Sequence, residues 1–116
     1  MKLHNADRAR VEREKLVDYL LDLEHVDGGP KARFFMEFGF SLSHWRLLHE
    51  ALLRHAREIE VTGSGSSPHG IYYVLEGAMQ MADGREAFLR TVWQICWGDI
   101  EPGLVTAYPR GRRRTK

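Results

Sequence analysis

The sequence predicts an α+β domain in which about three N-terminal helices pack on one face of a C-terminal antiparallel sheet of three to four strands. Three observations predict it. Apolar residues recur at helical spacing up to about residue 58. Ile, Tyr and Val concentrate after residue 69. An Asp83-Gly84 pair sits between two strand-like runs.

The elements follow in order. Residues 12 to 22 read as a helix, with Leu16, Tyr19, Leu20 and Leu23 as its inward stripe and Glu12 and Glu14 suited to the dipole of its first turn. Glu24 to Pro30 is a loop, and Pro30 can open a short second helix over Lys31–Phe38, stopped at Gly39. Ser41 or Ser43 can cap a third helix running to about Glu58, with Trp45, Leu48, Leu52, Ala56 and Ile59 buried. Thr62 to Pro68 reads as a flexible loop, with short strands near 58–62 or 8–11 as minor additions to the sheet. Two long strands, 69–80 and 87–97, flank the Asp83-Gly84 turn, and a last strand covers Leu104–Tyr108.

A two-residue type I′ turn at Asp83-Gly84 would set Ala82 opposite Arg85. Glu76 would then face Thr91, Val74 would face Trp93 and Tyr72 would face Ile95 on one side of the sheet. Leu75–Val92, Gly77–Arg90 and Tyr73–Gln94 would lie on the other. The second side is the more apolar at its middle and is expected to meet the helices. A bulge would exchange these faces.

With 116 residues and 43% hydrophobic side chains the chain suits one core. Residues 1–109 are read as a single domain and 110–116 as a basic, disordered tail. Arg110, Arg112, Arg113, Arg114 and Lys116 lie in that tail; the body keeps 12 basic and 16 acidic residues, a formal charge of about −4. A generally basic nucleic-acid surface is therefore not evident. No apolar run approaches the roughly 20 residues of a membrane span, and the polar N-terminus is unlike a signal peptide, so a cytoplasmic protein with no membrane partner is expected. A single cysteine, Cys96, excludes an internal disulfide and a cysteine-based zinc cluster and reads as a structural strand residue. The six histidines show no metal-ligand spacing. His44 and His55 share a helix face about 16 Å apart along the axis and read as exposed. No cofactor or metal is expected.

His25 stands in a glycine-containing loop directly before the helix that starts near Lys31. A helix N-terminus and a lysine favour an anion, and a histidine beside a phosphate site suits acid–base chemistry on phosphodiesters. A loop-capping histidine and a solvated lysine are the simpler alternative. Thr106 and Tyr108 share one face of the last strand, and Thr91 and Trp93 make a similar pair on its neighbour.

Lys15-Leu16 with Tyr19-Leu20-Leu21, His25 with Gly28-Gly29, Lys31 to Phe35, Gly39-Phe40, Trp45 and Leu48 form a recurrent pattern. It continues in Tyr73, Glu76-Gly77, Asp83-Gly84-Arg85, Arg90 to Trp93 and Leu104 to Pro109. On these residues the chain resembles a bacterial family of small domains of unknown function, over nearly all of 5–109. Members occur free-standing and as C-terminal modules of large polymorphic-toxin or phage-related proteins. The layout is also similar to the fold of barnase, colicin and RelE-type ribonuclease toxins. That resemblance implies active groups from the helical half and from sheet strands, here His25, Lys31, Arg90, Thr91, Thr106 and Tyr108.

The leading reading is a metal-independent ribonuclease toxin with RNA as substrate. His25 would act as general acid or base, Lys31 and Arg90 would hold the phosphorane charge, and Tyr108 or Thr106 would position the phosphate. The alternative is a non-enzymatic protein-binding module, inhibitor- or antitoxin-like, whose acidic body engages a protein partner. A cognate antitoxin or immunity protein is the partner a toxin would have.

Overall fold

The computed structural model describes residues 1–110. Helical segments come first, and a four-stranded antiparallel sheet in the order β1-β2-β3-β4 follows. This is the expected α+β architecture. Apart from Arg110, the basic tail expected over 110–116 lies outside the described residues. Among those residues no helix is long and apolar enough to cross a membrane.

Helix α1, Arg13–Lys15, runs on as a π-helical turn, Leu16–Leu20. There the Leu21 amide donates to the Leu16 carbonyl, five residues back, at 2.7 Å. The wider turn shifts the apolar stripe. Leu16, Leu20 and Leu21 are buried, whereas Leu23, expected inward, is exposed. Helix α2 is Gly29–Glu37. It stops at Gly39, whose φ of 98° belongs to the left-handed region. The Phe40 amide then reaches back to the Phe35 carbonyl at 3.1 Å and the two rings pack at 6.0 Å, a hydrophobic Schellman ending. A 3-10 turn, Leu42–His44, leads into α3, Trp45–Glu58. The expected serine cap is absent, because the Ser41 and Ser43 hydroxyls face His44 Nδ1 instead of a backbone amide. Helix α3 buries Leu48, Leu52 and Ala56 as expected, and also His55, which the sequence placed outside.

Strand β1, Val61–Ser67, occupies most of the segment expected to be a flexible loop. Its Gly and Ser residues have poor strand propensity. Pairing to β2, Gly70–Gln80, from Gly63–Val74 to Ser67–Gly70 overrides it. Strand β3 is Glu86–Cys96 and β4 is Gly103–Pro109. The hairpin turns at Asp83-Gly84 as expected, but its register differs by one. The Gly84 amide donates to the Met81 carbonyl at 3.0 Å, Gly84 has φ 93°, and Met81 N pairs with Arg85 O at 2.7 Å. A three-residue loop ending in a left-handed glycine replaces the two-residue turn. Glu76 consequently faces Arg90, Leu75 faces Thr91 and Tyr73 faces Trp93.

One step of register turns every β3 side chain over. Leu89, Thr91 and Trp93 point into the core beside Leu75 and Met79, all buried. Arg90, Val92 and Gln94 lie on the outer face with Glu76, Val74 and Tyr72, their cross-strand neighbours. Val92 is therefore not the core residue the sequence suggested; Trp93 fills that place. A bulge at Val105 completes the arrangement. Leu104 faces inward opposite Trp93, while Thr106 and Tyr108 face outward opposite Val92 and Arg90.

Candidate functional site

The outer face of the sheet is a lattice of three rows. Tyr72 lies opposite Gln94. Val74 lies opposite Val92, and Val92 opposite Thr106. Glu76 lies opposite Arg90, and Arg90 opposite Tyr108. The π-helical turn and the loop before α2 cover its β4 edge. Tyr19, on that turn, joins its hydroxyl to Thr106 Oγ1 at 2.9 Å.

His25 meets the Tyr19 ring edge-on, with centroids 5.0 Å apart. Its Nδ1 accepts two backbone N–H groups, Asp27 at 3.0 Å and Gly28 at 2.9 Å. Backbone amides only donate, so Nδ1 holds a lone pair and the neutral ring carries its proton on Nε2. The Gly29 amide donates to the His25 carbonyl at 2.8 Å, and Pro30 has no N–H. The amides of Asp27, Gly28 and Gly29, which lead into α2, are thus committed to His25. The helix start offers an anion the Lys31 side chain rather than these amides.

Lys31 Nζ donates to the Asp27 carbonyl at 3.1 Å and lies 5.6 Å from the Tyr19 ring centre and 5.8 Å from that of Tyr108. Arg90 donates from Nη1 to the Tyr108 hydroxyl at 3.1 Å, from Nε to Glu76 Oε2 at 2.6 Å, and pairs with that same oxygen through Nη2. Arg110 Nε reaches Glu76 Oε2 at 3.0 Å. Burial alone would raise the Glu76 carboxyl, but the hydrogen bonds from Arg90 and Arg110 outweigh it and hold it below the usual carboxylate range. The Tyr108 and Glu76 bonds push the Arg90 guanidinium above its ordinary value, so it stays charged throughout the working range of pH. Two open recesses flank this cluster. One is lined by Glu12, Glu14, Lys15, Tyr19, His25 and Val105; the other by Pro30, Lys31, Tyr108 and Pro109.

Five of the six residues singled out from sequence, His25, Lys31, Arg90, Thr106 and Tyr108, meet along this one edge. The sixth, Thr91, does not. It is fully buried on the other side of the sheet, where its hydroxyl contacts His55 Nδ1 at 3.0 Å and accepts from Trp93 Nε1 at 2.9 Å. His55 Nε2 donates to the Gly77 carbonyl at 3.1 Å. Trp93 can only donate, so the Thr91 proton goes to His55 and every member of the chain is satisfied with His55 neutral. Burial lowers the His55 pKa, against smaller opposing effects of Gly77 and Glu58.

Sequence reasoning missed Tyr19 and Glu76 as members of the outer cluster. Tyr19 read as core because its spacing matches the buried leucines. Glu76 could have been found as the lone acid in an apolar strand whose correct partner is Arg90. Cys96 is exposed at the end of β3, not packed within the strand. Among the described residues no three His, Cys, Asp or Glu side chains converge as a metal-binding group.

A model of the family described as Domain of unknown function (DUF6883) matches residues 2–111. No curated protein matches the sequence. Among solved structures, a contact-dependent growth inhibition toxin–immunity protein complex from Klebsiella pneumoniae 342 contains a chain of the same fold. The two align with a TM-score of 0.68 at 10% identity, covering 92% of this chain and 97% of that one. At that identity the likeness speaks for the fold alone.

Proposed function

This chain belongs to the DUF6883 family of domains of unknown function, and we propose that it is a toxin-type effector that cleaves RNA without a metal ion. The observation that carries the reading is the meeting of Lys31, Arg90, Tyr108, Thr106 and His25 at the β4 edge of one sheet face. The similar fold from Klebsiella pneumoniae 342 belongs to a complex of a growth inhibition toxin with an immunity protein, a setting that suits the effector and the immunity-like reading alike.

The chemistry is transesterification. The ribose 2′ oxygen attacks phosphorus as its proton passes to water, the phosphorane gathers negative charge, and the bond from phosphorus to the 5′ oxygen breaks as that oxygen takes a proton from water. Charge stabilisation is the part this edge supplies best. Lys31 and Arg90 each lie 5.8 Å from the Tyr108 ring centre, so a phosphate seated beside that ring has two cations and the hydroxyls of Tyr108 and Thr106 as its neighbours. Glu76 fixes the Arg90 fork from behind. His25 presents Nε2–H, the form that donates to a phosphate oxygen. Service as a base through Nε2 would require Nδ1 to give up the Asp27 and Gly28 amides. The geometry therefore favours hydrogen-bond donation from Nε2 to the phosphate over the proton-transfer roles of general acid or base that the sequence suggested.

The test uses purified protein, total RNA and EDTA, with His25→Ala and Lys31→Ala in parallel. Each substitution should lower cleavage by well over tenfold while circular dichroism stays unchanged. Equal cleavage by wild type and both variants would place the active site elsewhere. The competing reading, an immunity-like module that binds a protein partner, is favoured by the acidic body of the chain. No cleavage by the wild type together with tight binding to a toxin would establish it.

A further inference from the structure

The outer sheet face continues beyond the cluster at the β4 edge, and its far row holds Tyr72 opposite Gln94. Tyr72 is held in an unusual way. A side chain on Gly65, its partner on β1, would meet Tyr72 Oη at 2.5 Å, Cζ at 2.6 Å and Cε2 at 3.0 Å. The phenol end of the ring therefore lies against the bare backbone of β1 at Gly65, where a side chain would push it aside. The residue remains 37% exposed. The phenol end of the ring rests against the strand, and part of the residue stays open to solvent.

Gln94 is oriented by its neighbour. Ser67 Oγ donates to the Gly70 carbonyl at 3.4 Å and accepts the His69 amide at 3.2 Å. With its own proton used, Ser67 can only accept from Gln94, and Gln94 Nε2 donates to it at 3.0 Å. This fixes the amide with Nε2 toward Ser67 and leaves Oε1, with the second N–H, for another partner. A flat aromatic face beside an amide with a fixed acceptor and donor matches a nucleobase, which offers a ring for stacking and a polar edge.

The row lies four residues along β3 from Arg90, about 13 Å at strand rise. Val74, Val92 and Thr106 floor the interval. A single strand whose phosphate sits between Lys31 and Arg90 can lay a neighbouring base on this floor. We propose that Tyr72 and Gln94 form a nucleobase subsite, Tyr72 stacking and Gln94 bonding the base edge, adjacent to the phosphate site. The inference rests on the RNA-cleaving reading and names where its substrate's bases are held.

The experiment measures binding of a short single-stranded deoxyoligonucleotide, which lacks the attacking 2′ hydroxyl, against an abasic oligomer of the same length. The wild type should bind the base-bearing strand roughly tenfold tighter. Tyr72→Ala should erase that preference and leave abasic binding unchanged. Tyr72→Phe, which keeps the ring, should retain it, and Gln94→Ala should weaken it. Gly65→Ala, which unseats the ring without altering it, should act like Tyr72→Ala, and circular dichroism checks that each variant is folded. Abasic binding that depends on Lys31, with no preference for bases, would overturn the subsite and leave the phosphate site standing. Loss of both would overturn the site as a whole. A preference for bases that survives Tyr72→Ala would put the bases elsewhere, and tight binding of a protein partner blocked by Tyr72→Ala with no oligonucleotide binding would assign this face to a protein.

Discussion

Replacing Thr91 with Val separates a structural role from a catalytic one, because it deletes a hydroxyl and keeps the shape. Among the described residues that hydroxyl is the one hydrogen-bond partner of Trp93 Nε1 and of His55 Nδ1, at 2.9 and 3.0 Å, and all three side chains are buried. Two polar groups lose their partner at once. At about 1–3 kcal/mol for each orphaned buried group, the variant should lose about 2–6 kcal/mol. That is a large share of the roughly 5–15 kcal/mol that holds a typical domain together. Urea unfolding followed by tryptophan fluorescence near neutral pH measures it as a lower midpoint at constant slope. Cleavage by the folded variant should equal that of the wild type, since Lys31, Arg90 and Tyr108 lie on the opposite face. A change under about 0.5 kcal/mol, or a loss of activity with stability intact, would refute the assignment of Thr91 to the core network. The same network sets a pH dependence. Burial lowers the His55 pKa in the folded chain, so on acidification the unfolded chain takes up a proton at 6.5 before the folded one does. The contribution is fully present above that value and is lost as pH falls from it toward the lower folded value. Subtracting the profile of His55→Gln isolates it, and identical profiles would refute it.

Two further substitutions test the packing. Leu48 is fully buried under α3, and Leu48→Ala should cost about 2–5 kcal/mol in denaturant unfolding; a cost below about 0.5 kcal/mol would mean that another face of α3 meets the sheet. Gly39→Ala forces a side chain into φ 98° at the end of α2 and should cost about 1–2 kcal/mol, with a null result refuting the need for a left-handed stop.

The fold was legible where local chemistry and tertiary pairing agree. Gly39 ends α2 because only a left-handed residue lets Phe40 turn back to Phe35, and that signal is carried within a few residues. The stripe Leu48, Leu52, Ala56 follows from helix period alone. Strand β1 was not legible, because Gly63 to Ser67 has the composition of a linker and becomes a strand only through the partner that β2 supplies. The π-helical turn was equally hidden. One extra residue exchanges Leu23 for Leu21, and nothing in the spacing of leucines distinguishes five-residue closure from four.

The site divides in the same way, and the division turns on one glycine. His25, Lys31, Thr106 and Tyr108 could be placed without the hairpin register, since the first two adjoin the α2 start and the last two alternate on one strand. Arg90 and Thr91 are neighbours on β3, so only one of them can reach the outer face, and the turn decides which. A two-residue turn would carry Thr91 outward and leave Arg90 under the helices opposite Gly77. The left-handed Gly84 adds a residue to the loop, sets Arg90 against Glu76 and Tyr108, and sends Thr91 inward to His55. Asp-Gly serves both turns, so the pair alone could not choose. Charge could have chosen. A register that buries an arginine beside apolar residues leaves a charge unpaired in the core, whereas the observed one joins it to a carboxylate and a phenol at the surface. The burial of His55 follows from the same choice, because the inward Thr91 supplies the partner that lets a histidine sit in the core.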